Sequence, residues 1–160
     1  MDLNKLTTGD RVIAISGIVL FIFSFFDWLG AEASAGGFSV SEAKSAWSFT
    51  LTLIAVLIGI AMVVIVALKA FDVKLPDLGG TSWSLVLLVM GVVAFAFVLI
   101  KLIAGPNIDT GGFNVDVSKT REFGIFVGLI ATAGLAVGGY LLFQADKGGS
   151  SAPPSAPPTV

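Results

Sequence analysis

Four apolar runs, each close to the length that crosses a bilayer, limit what this chain can fold into more than any other feature. A transmembrane helix needs about 20 mostly apolar residues to cross a hydrocarbon core of roughly 30 Å. The runs fall at about 12–29, 47–70, 83–104 and 123–143. None carries a charge in its middle; Asp27, Lys69 and Lys101 all lie near ends, where charged heads can reach water. Composition argues against a soluble fold. Hydrophobic residues make up 56% of the chain and charged ones 12%, where an average soluble domain is about a quarter charged. A soluble globule of 160 residues with a mean hydropathy of +0.97 has too little interior to hide that surface. The expected fold is an all-α membrane protein, a four-transmembrane-helix bundle over 1–146. A Gly/Ser/Pro-rich tail at 147–160 lacks the composition to build a core and is expected to be disordered.

The ends of the runs carry boundary chemistry. Thr7 and Asp10 have the N-cap and N3 spacing of a capping box ahead of the first run, and Ser39 with Glu42 repeats that spacing ahead of the second. Gly79-Gly80 marks the turn between runs two and three, and Gly105-Pro106 stops the third. Trp28, Trp47 and Trp83 stand at run ends, where amphipathic rings favour the headgroup layer, so all three are expected at the membrane interface. The competing reading of the first run is a secretory signal peptide, with Lys5 and Arg11 before it and Ala31-Glu32-Ala33 as a small-x-small cleavage site. Retention as a span is favoured, because an internal repeat gives the first run a counterpart.

That repeat joins GGFSVSEAKS at 36–45 to GGFNVDVSKT at 111–120, an offset that also brings Gly30 onto Gly105. Read as duplication, it divides the bundle into two helical hairpins whose long loops face the same side. In each loop the GGF-x-V core is either an irregular loop or a short β segment, with Phe113, Val115 and Val117 on one face; two such segments side by side would pair as a small sheet on the bundle. Lys and Arg split five to four between the two sides, with the termini on the richer one. This places both termini in the cytoplasm and the loops outside, in a multi-pass protein of the plasma membrane.

In the fourth run Gly124, Gly128, Ala131, Gly134 and Gly138 share one helix face. Small residues let helix backbones approach closely in lipid, so this stripe is expected to pack helices, within the bundle or against a second copy.

Few groups are available for chemistry. Histidine and cysteine are absent, which removes the commonest metal ligands, imidazole acid–base catalysis and thiol nucleophiles. The outer-loop acids Asp27, Glu32, Glu42, Asp109, Asp116 and Glu122 are scattered rather than arranged as a calcium loop, and read as a solvated surface. Asp27 is the speculative polar site, since it lies closest to the hydrocarbon. Serines and threonines within the runs bond to their own helices and have no base beside them. With a net charge of −2, no basic patch argues for nucleic acid. No catalytic residue, metal site or cofactor is expected.

The segments FIFSFFDWLG at 21–30, SAWSF at 45–49, KLPDLGG at 74–80 and EFGIFVGLIATAGLAVGGYLL at 122–142 resemble the small four-span integral membrane proteins of unknown function common in actinobacteria. Members of that family often have proline where Asp27 stands here. The resemblance implies a plasma-membrane protein and supplies no catalytic residues. The expected function is that of a non-enzymatic membrane protein acting by association, with itself, another membrane protein or an envelope complex, within the lipid bilayer. The alternative is a small transporter, channel or lipid-binding protein.

Overall fold

The computed structural model describes residues 6–35, 37–105 and 116–149. It orders them as α1 (Thr8–Phe23), β1 (Asp27–Ala35), β2 (Phe38–Ser45), a 3-10 turn (Ala46–Ser48), α2 (Thr50–Ala70), α3 (Trp83–Ala104), β3 (Asp116–Arg121) and α4 (Phe123–Gly149). Phe113, Val115, Asp109 and the tail from 150 onward lie outside the described residues.

Three helices, α2, α3 and α4, are long and apolar enough to cross a membrane. This corrects two expectations: the fold is not all-α, and the bundle does not contain four spans. The first helix has 16 residues, about 24 Å at the usual rise and short of a hydrocarbon core of roughly 30 Å. It starts where the capping box places it. The Asp10 N–H donates to the Thr7 hydroxyl at 3.3 Å while the Thr7 N–H donates back to the Asp10 carboxylate at 3.1 Å. It ends six residues before the first apolar run does, because Asp27, Trp28 and Leu29 belong to β1.

The three strands form an antiparallel sheet in the order β2-β1-β3. Its central strand pairs Ala31 with Glu42 on one side and with Lys119 on the other. The two repeated segments therefore supply the edge strands, which flank β1 without pairing to each other. Ser39 and Glu42 are strand residues and cap nothing; α2 begins without a side-chain cap. The repeat diverges where it matters most. At its offset, the positions corresponding to Asp27, Trp28 and Leu29 are Leu102, Ile103 and Ala104, which are still helical in α3.

Each helix neighbours the next around a ring, and α4 closes it onto α1. Asp10 at the start of α1 meets Lys69 at the end of α2, with 2.6 Å between Lys69 Nζ and Asp10 Oδ1, and the Ser84 hydroxyl at the start of α3 donates to the Asp146 carboxylate near the end of α4. Those four ends share one side of the bundle; the sheet caps the other. Ile13, Leu20, Met62, Leu87, Ala94, Ile125 and Leu135 are buried in the core. Backbones come close where side chains are missing. A methyl group added at Gly91 would stand 2.8 Å from the main chain of Ala136, and one at Gly139 would stand 2.7 Å from Leu88 Cα. Such approaches give helices the van der Waals contact that joins them in lipid.

Candidate functional site

The junction between sheet and helices holds most of the polar chemistry on the capped side. It is organised by Trp28, which is completely buried. Its indole N–H donates to the carbonyl of Phe23 at 2.8 Å, and its ring lies over the first turns of α4. A methyl group at Gly124 would stand 2.5 Å from the indole Cδ1, and one at Gly128 would overlap the six-membered ring. Trp28 is thus a core residue with no surface to offer headgroups, which replaces the interface role expected of it. The rest of the small-residue stripe faces α1. Gly134 lies against Ser16, Gly138 against Ile13 and the Gly9 carbonyl, and Ala131 is buried. This stripe is occupied within the chain.

Around Trp28 the polar groups satisfy one another. The Ser24 hydroxyl donates to the Phe21 carbonyl at 2.6 Å and accepts the Trp47 indole N–H at 3.0 Å. The Thr52 hydroxyl donates to the Ala46 carbonyl at 2.6 Å, and the Glu122 N–H to the Trp28 carbonyl at 3.0 Å. Among the described residues no buried side-chain nitrogen or oxygen lacks a partner. Hydroxyls committed in this way tie elements together and are not poised as nucleophiles. Trp47 is half-buried against Phe25, their ring centroids 5.7 Å apart. Trp83 lies at the far end of the bundle, its indole donating to the Pro76 carbonyl at 3.0 Å. Asp27 is exposed at the first position of β1. The structure brings Trp28 and the α4 glycines into one cluster and leaves Trp83 and Asp27 apart from it.

The sheet has two unlike faces. Directly paired residues of antiparallel strands share a face. Leu29, Lys44 and Arg121 therefore stand together, followed outward by Ala31, Glu42 and Lys119, then Ala33 and Val40, then Phe38 at the hairpin end. The opposite face presents Gly30, Glu32 and Ser34 with Ser39, Ser41, Ala43, Ser118 and Thr120. Phe38 and Val40 are 82% and 68% exposed, a pair of large apolar side chains on an otherwise small and polar hairpin.

Charge gathers where the first face meets α3. Arg121 donates from Nε to the Leu102 carbonyl at 2.8 Å, satisfying a helix C-terminus. Lys101 is only 4% exposed and its ammonium sits 4.4 Å from the centre of the Phe49 ring. The sequence pattern shows Lys101 as a charge near a helix end; its contact with Phe49, which is distant in sequence, is not visible there. Elsewhere, Gly17, Ile18, Phe21, Ile60, Val63 and Val64 line an open groove of about 240 Å³ between α1 and α2, almost wholly apolar. No group of three or more metal-ligating side chains occurs among the described residues. Compared with protein-family models and with curated proteins, the chain matches none.

Proposed function

We propose that the protein is a non-enzymatic, multi-pass component of the plasma membrane that acts by association, presenting its sheet to a protein partner outside the hydrocarbon. The observation that carries this reading is the exposed Phe38–Val40 pair on the β1–β2 hairpin, beside helices whose small-residue faces are already filled. Exposed apolar side chains rimmed by polar ones are what partner surfaces offer. The internally bonded hydroxyls supply neither nucleophile nor base, in keeping with a non-enzymatic role. The partner is a second copy or a larger envelope complex.

The test is the size of the particle extracted in mild detergent from its own membrane. A discrete assembly that falls to the monomer when Phe38 and Val40 are both replaced by serine supports the reading. A wild-type monomer, or an assembly indifferent to both changes, overturns it. The groove between α1 and α2 favours a second reading, lipid binding, because its apolar lining suits an acyl chain and offers nothing to an ion or a polar solute.

A further inference from the structure

We infer that the groove between α1 and α2 holds one acyl chain of a membrane lipid near the middle of the bilayer, recognising the chain and not the headgroup. This rests on the lipid-binding reading above and deepens it; the partner surface at Phe38 and Val40 is separate in residues and in ligand.

Depth comes first. Ile60, Val63 and Val64 supply the α2 wall, and Ile60 stands ten residues from either end of a helix able to cross a membrane. At the usual rise that is about 15 Å from each end, the midpoint of a hydrocarbon core of roughly 30 Å. Phosphates and glycerol stay at the borders, so acyl chains are the part of a lipid that reaches this level. The lining agrees. Ile18 and Phe21 form the α1 wall beside Gly17, and no wall side chain carries a nitrogen or oxygen.

The groove is held open by contacts on either side of it. Lys69 bonds to Asp10 at 2.6 Å at one end of the helix pair. At the other, the Trp47 indole donates at 3.0 Å to Ser24, the residue that follows α1. Between them the helices touch, since a methyl group added at Gly17 would overlap the Val63 side chain. Ile18, Ile60, Val63 and Val64 are branched at Cβ and strongly prefer a single rotamer on a helix, so they do not fold inward to close the space. A chain entering such a preformed groove imposes no reorganisation on the protein.

Size and lining distinguish a chain from a helix. At about 240 Å³ the groove is smaller than the roughly 300–1,000 Å³ of pockets that enclose whole small molecules. It therefore takes part of a longer molecule whose remainder lies in the bilayer. A helix of a second copy would approach through small residues. Gly17 is the one small residue in the lining, and Val63 already covers it. A string of methylenes needs no such approach.

The experiment places full-length protein in phosphatidylcholine vesicles with a trace of phosphatidylcholine bearing a diazirine midway along one acyl chain. Labelled residues are mapped by mass spectrometry after irradiation. Ile18 and Val64 are 52% and 49% exposed, so Val89 and Val92 of α3, at 53% and 49%, are matched controls on an open helix surface. Labelling of the groove pair should exceed that of the α3 pair about threefold, because a groove touches the chain on three sides and a convex helix on one. Phosphatidylglycerol carrying the same chain should label alike. Val64→Phe and Ile18→Phe, at exposed positions on opposite walls, should fill the groove and bring its remaining residues down to the α3 level. Having two such variants keeps the test decisive if one does not fold. Groove labelling equal to or below that of α3, or unchanged in both folded variants, overturns the site and leaves the membrane placement intact. Labelling that depends on the headgroup overturns recognition by chain alone while keeping lipid binding. No labelling of α2, α3 or α4 would instead refute the membrane placement on which the lipid-binding reading stands, and the site with it.

Discussion

The indole N–H of Trp28 donates to the carbonyl of Phe23 across 2.8 Å, tying the last residue of α1 to the second residue of β1. This contact explains why the first apolar run is not one helix. A helix that stops near hydrocarbon leaves carbonyls that water cannot reach, and they must find donors in the protein. Trp28 supplies one, the Ser24 hydroxyl supplies another to Phe21, and the chain turns into a strand. The same indole fills the hollow that Gly124 and Gly128 leave on α4. One side chain thus ends a helix, starts a sheet and seats both on the bundle.

Replacing Trp28 with phenylalanine should separate these roles. Phe keeps an aromatic ring in the hollow but cannot donate, leaving the Phe23 carbonyl without its partner. Losing a buried partner costs about 1–3 kcal/mol. Trp28→Ala should cost more, about 3–5 kcal/mol, because a cavity is added to the lost bond. Unfolding by denaturant titration in mixed micelles measures both. A Trp28→Phe protein as stable as wild type would show that the bond is not what ends α1.

Gly128 should be intolerant of even a methyl group, and for a reason that can be isolated. A Cβ there overlaps the outer edge of the Trp28 indole, so Gly128→Ala forces ring or helix to move, at about 1–3 kcal/mol. Gly148→Ala, where an added methyl meets nothing within 4 Å, is the control. The penalty at Gly128 should shrink when Trp28 is already phenylalanine, because the smaller ring withdraws the overlapping edge. A double-mutant cycle should therefore show a favourable coupling of about 1 kcal/mol. Additive losses would mean that Gly128 serves some other contact.

At the opposite end, Asp10 and Lys69 should prove unequal partners. Asp10 is 1% exposed and does two things: it closes the α1 capping box and accepts the Lys69 ammonium at 2.6 Å. The Lys69 side chain is one-third exposed. Asp10→Ala strips the cap and strands a lysine, so a loss of about 1–3 kcal/mol is expected, below the full cost of breaking an enclosed pair because Lys69 can still reach water. Lys69→Met leaves the Asp10 carboxylate with its Thr7 donors and should cost less. Thermal unfolding in detergent ranks the two variants; a larger loss from Lys69→Met would reverse the assignment.

How far these features can be seen in the sequence depends on whether they are local. The Thr7–Asp10 box is set by residues three apart, and the starts and stops at 70, 83, 104 and 123 follow from where apolar runs meet Gly, Pro, Ser or charge. β1 is different. FIFSFFDWLG stays apolar across the break, and hydropathy cannot separate a helix facing lipid from a strand buried on α4. The signals lie in residue type: aromatics with strand preference, then alternation in Ala31, Glu32, Ala33 and Ser34. Trp28 as an interface anchor fails for a related reason, since the two glycines that receive its ring are almost a hundred residues away. The contact between Lys101 and Phe49 has no local signal, because the ring belongs to the residue that precedes α2.

The chain contains no cysteine, so the sheet can be tested by introducing two. Glu32 of β1 and Ser118 of β3 are direct partners and both are exposed. Their Cβ atoms should lie about 5 Å apart, near the reach of a disulfide after a small adjustment. Under mild oxidation, Glu32→Cys with Ser118→Cys should form an intramolecular crosslink, seen as a mobility shift that reductant reverses. Ala33→Cys with Ser118→Cys moves one thiol to the other face of the sheet and should crosslink poorly, although it is displaced by a single residue. A helix continuing through 27–29 would carry Glu32 away from Ser118 and abolish the difference. Equal crosslinking of the two pairs, or none in either, would refute the β1–β3 register.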